Sequence, residues 1–235
     1  MQLLRNIPEV LPQPCVATIG FFDGVHRGHR YLIEQVREVA VAHGFASGVV
    51  TFPVHPRKVV QPEYHPELLT TYEEKVALLA ETGLDYCMML DFTPEVAILS
   101  AKEFMLFLYN HYNIRALVIG YDHRFGHNRS EGFDDYVRYG QELGIEVILA
   151  HAYIDKDVAV SSSVIRQLLS EGNVSEAASC LGYDYFLNGI VVSGYRVGRK
   201  IGFPTANLRV DDPDKLVPSD GVYACLLYTS PSPRD

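Results

Sequence analysis

Residues 16–44 read VATIGFFDGVHRGHRYLIEQVREVAVAHG. Residues 16–21 are a short apolar run of strand character. Residues 29–43 follow with Leu32, Val36, Val39 and Ala40 at helical spacing, and Gly44 marks the end of that helix. A strand, a glycine-bearing turn and a helix are the unit from which parallel sheets are built, and the pattern repeats downstream. Residues 48–54 (GVVTFPV) form a β-branched, aromatic strand. Thr71 and Glu74 have capping-box spacing and open a helix that stops near Gly83. Residues 86–92 are strand-like, and Ser100 with Glu103 repeats the capping box before FMLFLYNHY. A short buried strand at 116–119, a helix at 133–143, a strand at 145–150 and a helix at 164–170 complete the series. This alternation predicts an α/β domain, a parallel sheet with helices on both faces. Such sheets bind ligands outside the carboxyl ends of their strands, so functional residues belong on the loops after strands.

The pattern changes after about Leu181. The run YFLNGIVVSGYRVGRKIGFPTANLRV carries glycine at 189, 194, 198 and 202, and its apolar stretches are short. It predicts antiparallel β-structure with turns and a domain boundary near Gly182. The last eight residues, YTSPSPRD, continue no pattern.

Composition narrows the function. The chain has 235 residues, 48% of them apolar and 21% charged, which is globular composition. Lys and Arg number 20 against 29 Asp and Glu, a formal charge of −9. With no basic stripe, this argues against a nucleic-acid role, which needs clustered cations. Phosphorylated small molecules remain accessible if the few cations converge. There is no CxxC among Cys15, Cys87, Cys180 and Cys225, no secretory leader pattern at the N-terminus and no apolar stretch long enough to span a bilayer. The expectation is a cytoplasmic protein, without a membrane partner, whose cysteines are buried small hydrophobes.

Three motifs carry chemistry. The first is GFFDGVHRGH, residues 20–29, with His26, Gly28 and His29 in HxGH spacing where strand becomes helix. A helix N-terminus favours anions, glycines let backbone approach a phosphate, and two imidazoles three residues apart can donate to phosphate oxygens. Zinc fits less well, because no third ligand of matching spacing is adjacent. The second is Ser161, Ser162 and Ser163 before Val164, Ile165 and Arg166, a helix start that offers hydroxyls, N–H groups and a cation to phosphate. The third is GYDHRFGHNR, residues 120–129, a polar, aromatic and basic loop that can stack a planar ring on Phe125. His55, in TFPVHP, sits in a similar loop.

In that order, TIGFFDGVHRGH, TFPVHP, GYDHRFG and VSSSVIR resemble the adenylyltransferase half of bacterial bifunctional riboflavin kinase/FAD synthetases. HxGH alone marks only the broader nucleotidyltransferase superfamily. GYRVGRKIGFPTANL and PSDGVY resemble the opening of the kinase half. The resemblance implies a Rossmann-like HxGH domain over 1–182, an incomplete riboflavin kinase domain over 183–227, read as a partial antiparallel β-barrel, and a non-family tail over 228–235. It implies the reaction of ATP with FMN to give FAD and pyrophosphate, without a covalent intermediate and with Mg²⁺ bridging phosphate oxygens. By the resemblance His26, His29 and Arg166 are catalytic. Gly20, Phe21, Gly28, Ser162 and Ser163 bind ATP, and Asp122, Phe125, Arg129 and His55 lie on the flavin side. Asp23 buttresses the turn. Gly198, Thr205 and Asn207 are kinase-motif residues, with Thr205 a Mg²⁺ ligand. Phe21 stands where the family often has Asn, and His123 where a second Phe is common. No Glu follows Glu176 to serve as the kinase base, so riboflavin phosphorylation is expected to be absent from this chain, which reads as part of a longer protein. Two alternatives stay open: another HxGH adenylyltransferase, acting on pantetheine phosphate or nicotinamide mononucleotide, and a non-catalytic flavin- or nucleotide-binding module.

Overall fold

The computed structural model describes residues 1–5, 10–120, 123–127, 130–155 and 158–228, apart from the side chains of 154–159. Strands β1 (Gln2–Arg5) and β2 (Cys15–Ile19) precede a 3-10 turn at Asp23–Val25 and helix α1 (Arg27–His43). Then come β3 (Ala46–Thr51), α2 (Pro56–Val60), α3 (Tyr72–Ala80), β4 (Tyr86–Met89), α4 (Pro94–Ala97) and α5 (Ala101–Tyr112). They are followed by β5 (Ile114–Ile119), α6 (Phe133–Leu143), β6 (Glu146–Leu149) and the small antiparallel pair β7 (Ile154–Asp155) and β8 (Val158–Ala159). The described chain continues with α7 (Ser162–Ser170), α8 (Val174–Leu181), β9 (Ile190–Val192), α9 (Val197–Lys200) and β10 (Asn207–Arg209).

Six strands form one sheet in the order β1-β4-β3-β2-β5-β6, and every pairing in it is parallel. Strands β2 and β3 are buried along their whole length, because helices cover both faces. Alternate residues serve opposite cores. Ala17, Ile19, Leu117 and Ile119 pack with Phe104, Met105 and Leu108 of α5 and Tyr136 of α6. Val16, Val49, Ala116 and Val118 pack with Ile33 and Val36 of α1 and Leu78 and Leu79 of α3. Each buried Val, Leu, Ile, Phe or Met side chain among them contributes about 1.5–3 kcal/mol. A third cluster joins Leu69 to Ile165 and Leu169 of α7, Ala177 and Leu181 of α8, and Leu216.

Both capping boxes form. Thr71 accepts from the Glu74 N–H and Ser100 from the Glu103 N–H, while each Glu side chain accepts from the backbone N–H of its cap. Helix α1 ends at Gly44, whose φ of 68° suits a residue without Cβ. Differences from the expected boundaries have local causes. Strand β2 stops at Ile19 rather than residue 21, since Phe22 turns left-handed with φ of 54°. Helix α3 ends at Ala80, short of Gly83. The short elements β1, α2, α4, β7, β8 and α9, and helix α8, are not indicated by periodicity; α2, α4 and α9 are a turn or so long. Cys15 and Cys87 are buried as expected, but Cys180 is half-buried and Cys225 exposed, because the segment carrying Cys225 packs little of its surface. Beyond α8 the antiparallel expectation is met by the two-stranded sheet of β9 and β10.

Candidate active site

The sheet order reverses about β2: β3 lies on one side of it and β5 on the other. A crevice forms at the carboxyl ends of strands at such a point. A cavity of about 1050 Å³ occupies it. Gly20, Phe21, Asp23 and His29 line it after β2, Phe52 and His55 after β3, Phe92 after β4, and His123, Phe125 and His127 after β5. Ser162 and Arg166 of α7 reach it from the side. Of the expected site residues, seven thus meet in one cavity: Gly20, Phe21, His29, His55, Phe125, Ser162 and Arg166. Asp122 and Arg129 lie outside the described residues.

His26 is the N-cap of α1. Its Nδ1 accepts the His29 backbone N–H at 3.3 Å, so the neutral ring carries its proton on Nε2. The two imidazoles stack with centroids 3.6 Å apart and planes at 19°. Gly28 packs against His26; a Cβ there would stand 3.2 Å from the His26 ring. Burial, helped by Arg166, pushes the His26 pKa down to about 4. Burial also holds His29 well below its ordinary value, with His26 and Lys75 acting in the same direction. Both rings are therefore neutral N–H donors at pH 7. Nδ1 of His29 is buried with no hydrogen-bond partner among the described residues, an arrangement that costs stability and is kept at functional positions.

The depressed pKa values set a stability prediction. Between pH 6.5 and about 4 the unfolded chain binds protons that the folded His26 does not, so stability rises with pH across that window and falls as pH drops through it. We expect His26 alone to remove on the order of 3 kcal/mol by pH 4. Urea midpoints from pH 7 to 4 should show the decline, and His26→Gln, which keeps an acceptor but does not titrate, should flatten it. An identical slope in that variant would remove His26 from the account.

The turn after β2 is held from below. Val25 has φ of 36°, a strained value for a β-branched residue, and such strain concentrates at functional sites. Gly24 has φ of 79°, and a Cβ there would stand 2.9 Å from Leu69. Its N–H donates to Thr70 Oγ1, which commits it to packing the turn rather than to a phosphate. Asp23 buttresses the turn, as the resemblance implies. Its carboxylate accepts from the Leu69 and Thr70 N–H groups, the Thr70 hydroxyl and Arg166 Nη2, the last at 2.7 Å. Arg166 Nε donates to the Glu67 carbonyl, fixing the guanidinium at the cavity wall.

The three serines divide their work. Ser161 caps α7 by accepting the Val164 N–H, Ser162 donates to the Asp23 carbonyl at 3.0 Å, and Ser163 is exposed and does not line the cavity. Phe125 lines the cavity with part of its ring, but Tyr136 stacks on it at 4.2 Å and the residue belongs to the core. His55 packs edge-on against Phe21 at 4.7 Å, and burial lowers its pKa. Gly198, Thr205 and Asn207 lie in the β9–β10 segment, away from this cavity, and the latter two are exposed.

Two supports were not anticipated. Lys75 is buried, donates to the Phe21 and Phe52 carbonyls at 3.2 and 2.7 Å, and sits 3.9 Å from the Phe21 ring centre. Burial lowers its pKa to about 8. Tyr183 donates to the Gly24 carbonyl at 2.6 Å. Neither residue stands in a motif; a lone Lys or Tyr in sequence reads as surface or core. Among the described residues no group of three His, Cys, Asp or Glu could hold a metal ion. No helix there is long and apolar enough to cross a membrane.

Comparison with known proteins agrees with this geometry. The FAD synthetase family matches residues 9–164 and the riboflavin kinase family matches residues 181–233, a span that runs past Leu227. The bifunctional riboflavin kinase/FMN adenylyltransferase of Escherichia coli (strain K12) is 36% identical over 228 residues, covering 95% of this chain and 72% of the relative. The protein of that name from Listeria monocytogenes serovar 1/2a is 35% identical over 210 residues, covering 89% of this chain and 66% of its own. A crystal structure from Streptococcus pneumoniae, described as a macrolide-efflux protein, superimposes with a TM-score of 0.82 at 32% identity, covering 94% of this chain and 73% of that one. On the strength of these matches to both halves, the chain belongs to the bifunctional riboflavin kinase/FMN adenylyltransferase family.

Proposed function

We propose that this chain transfers the adenylyl group of ATP to FMN. An oxygen of the FMN phosphate attacks the α-phosphorus, the bond to the β-phosphate oxygen breaks, and FAD and pyrophosphate leave. The observation that carries the reading is one cavity lined by His29, which stacks on His26, by Arg166 and Ser162, and by the aromatic rings of Phe21, His55 and Phe125. Its volume, about 1050 Å³, suits a nucleotide beside a planar flavin. Phosphoryl chemistry of this kind is mostly positioning and charge stabilisation. His29 donates an N–H to oxygen on the α-phosphorus as charge builds there. Arg166 and the Ser162 backbone N–H at the start of α7 hold the departing phosphates. Phe21, His55 and Phe125 form the apolar side, with Asp122 and Arg129 assigned there from the family motif.

Mg²⁺ enters on the triphosphate as MgATP. The described residues offer no cage for it, and Asp23, the carboxylate of the cavity wall, is committed to Leu69, Thr70 and Arg166. Magnesium bound mainly through substrate phosphates is its usual mode. Four free cysteines support a reducing, cytoplasmic setting. We place the division between the two parts near Gly182, the left-handed cap of α8. Riboflavin phosphorylation is not assigned to this chain.

An acceptor panel tests the reading. With ATP and Mg²⁺, FMN should give FAD, while pantetheine phosphate and nicotinamide mononucleotide should give no adenylylated product and riboflavin no FMN. Turnover of pantetheine phosphate or nicotinamide mononucleotide in place of FMN would transfer the assignment to another adenylyltransferase.

A further inference from the structure

Residues 212–216 lie in the span that matches riboflavin kinases, yet they pack against the segment that holds Asp23 and Arg166. The Leu68 N–H donates to the Asp214 carbonyl at 2.7 Å, and the Leu216 N–H donates to the Leu68 carbonyl at 2.8 Å, forming a parallel bridge between Leu68 and Lys215. Lys215 turns inward, with its side chain only 1% exposed. Its Nζ donates to the Leu69 carbonyl at 2.6 Å and to Glu74 Oε2 at 2.7 Å, and the Tyr185 ring lies 4.5 Å away. Lys58 of α2 holds the Asp214 carboxylate at 2.5 Å, clamping the same segment from outside.

The opposite edge of residues 67–70 meets Asp23 and Arg166, two residues of the cavity wall. Leu69 and Thr70 donate to Asp23, and the Glu67 carbonyl accepts from Arg166. Four consecutive residues therefore connect the kinase-family segment to the Asp23–Arg166 pair, beside the packing of Leu216 with Leu69 and Ile165. A rigid bracket of this sort fixes where a guanidinium points, and displacement of about 1 Å is enough to lower a rate substantially.

We propose that Lys215 is a positioning residue for adenylyl transfer: by clamping residues 67–70 it sets Arg166 against Asp23, so that the segment around Lys215 is a working part of the site on the other half. The proposal rests on the function given above. Joining two halves for stability alone would need no dependence on Arg166, and that dependence is measurable.

The test is a double-mutant cycle in the whole chain, with FAD formation as the assay and ATP as the varied substrate. Lys215→Met should lower kcat/KM for ATP by about tenfold when Arg166 is present, and by less than about twofold in an Arg166→Ala background. KM for FMN should be unchanged. Lys215→Met strands the Glu74 charge in a buried place, so the cycle is repeated with Glu74→Gln and Lys215→Met together, a neutral pair of similar shape. Thermal unfolding confirms that the variants are folded. An equal loss in both Arg166 backgrounds, or no loss in either, overturns the proposal while leaving the enzyme's activity intact. A wild-type chain that forms no FAD overturns the function itself, and Lys215 then has no site to position.

Discussion

Replacing His29 with Ala is expected to lower the rate of FAD formation by about 10²–10³-fold, the usual cost of removing one donor aimed at developing charge. The variant separates chemistry from folding cleanly. The His26 cap is made to the backbone N–H of residue 29, not to its ring, so His29→Ala keeps that hydrogen bond. Alanine is a strong helix former at this first turn of α1. The lost ring also carries the unpartnered Nδ1, so its removal relieves a buried polar atom rather than creating one. The loss should therefore appear in kcat, with a melting temperature close to that of the parent. Steady-state kinetics beside thermal unfolding checks this; turnover within about twofold of the parent would take His29 out of the mechanism.

Arg166→Ala has the second largest expected effect, and it acts on two levels. The guanidinium forks between the Asp23 carboxylate at 2.7 Å and the Glu67 carbonyl at 2.7 Å. Without it the site loses the cation assigned to the departing phosphates, and kcat/KM for ATP should fall by about 10²–10³-fold. Asp23, only 3% exposed, keeps its bonds from Leu69 and Thr70 but loses its ion-pair partner, which should cost about 2 kcal/mol of stability. Lysine should not restore activity, because an ammonium cannot reproduce the planar fork. KM for FMN should change little. A variant whose FMN affinity collapses while ATP use is preserved would exchange the two sides of the cavity.

The architecture was legible because local signals agreed with one another. The capping boxes at Thr71 and Ser100 form as their spacing indicates, and α6 has the expected bounds. The strand–HxGH–helix unit and the serine-rich entry to α7 announce helix starts at the carboxyl side of the sheet, and the fold brings His29, Ser162 and Arg166 to one cavity. What sequence did not show is tertiary in origin. Lys75 and Lys215 stand in no motif, yet each is buried because carbonyls and, for Lys215, Glu74 meet it from distant parts of the chain. Residues 67–70 have no motif; their function comes from which edges they present. Gly24 reads as a place for phosphate approach, whereas Leu69 and Thr70 take that space and that N–H. An aromatic loop likewise suggests a ligand platform, but Tyr136 already covers part of Phe125. Periodicity cannot say which face of a ring the core will claim.

Isotope tracing tests the central claim most directly. The purified chain is incubated with FMN, Mg²⁺ and ATP labelled with phosphorus-32, at the α-position in one reaction and at the γ-position in another. Adenylyl transfer predicts that α-label appears in FAD and γ-label in pyrophosphate, in equal amounts. Binding of both substrates without α-label entering flavin, or γ-label entering flavin, would contradict it.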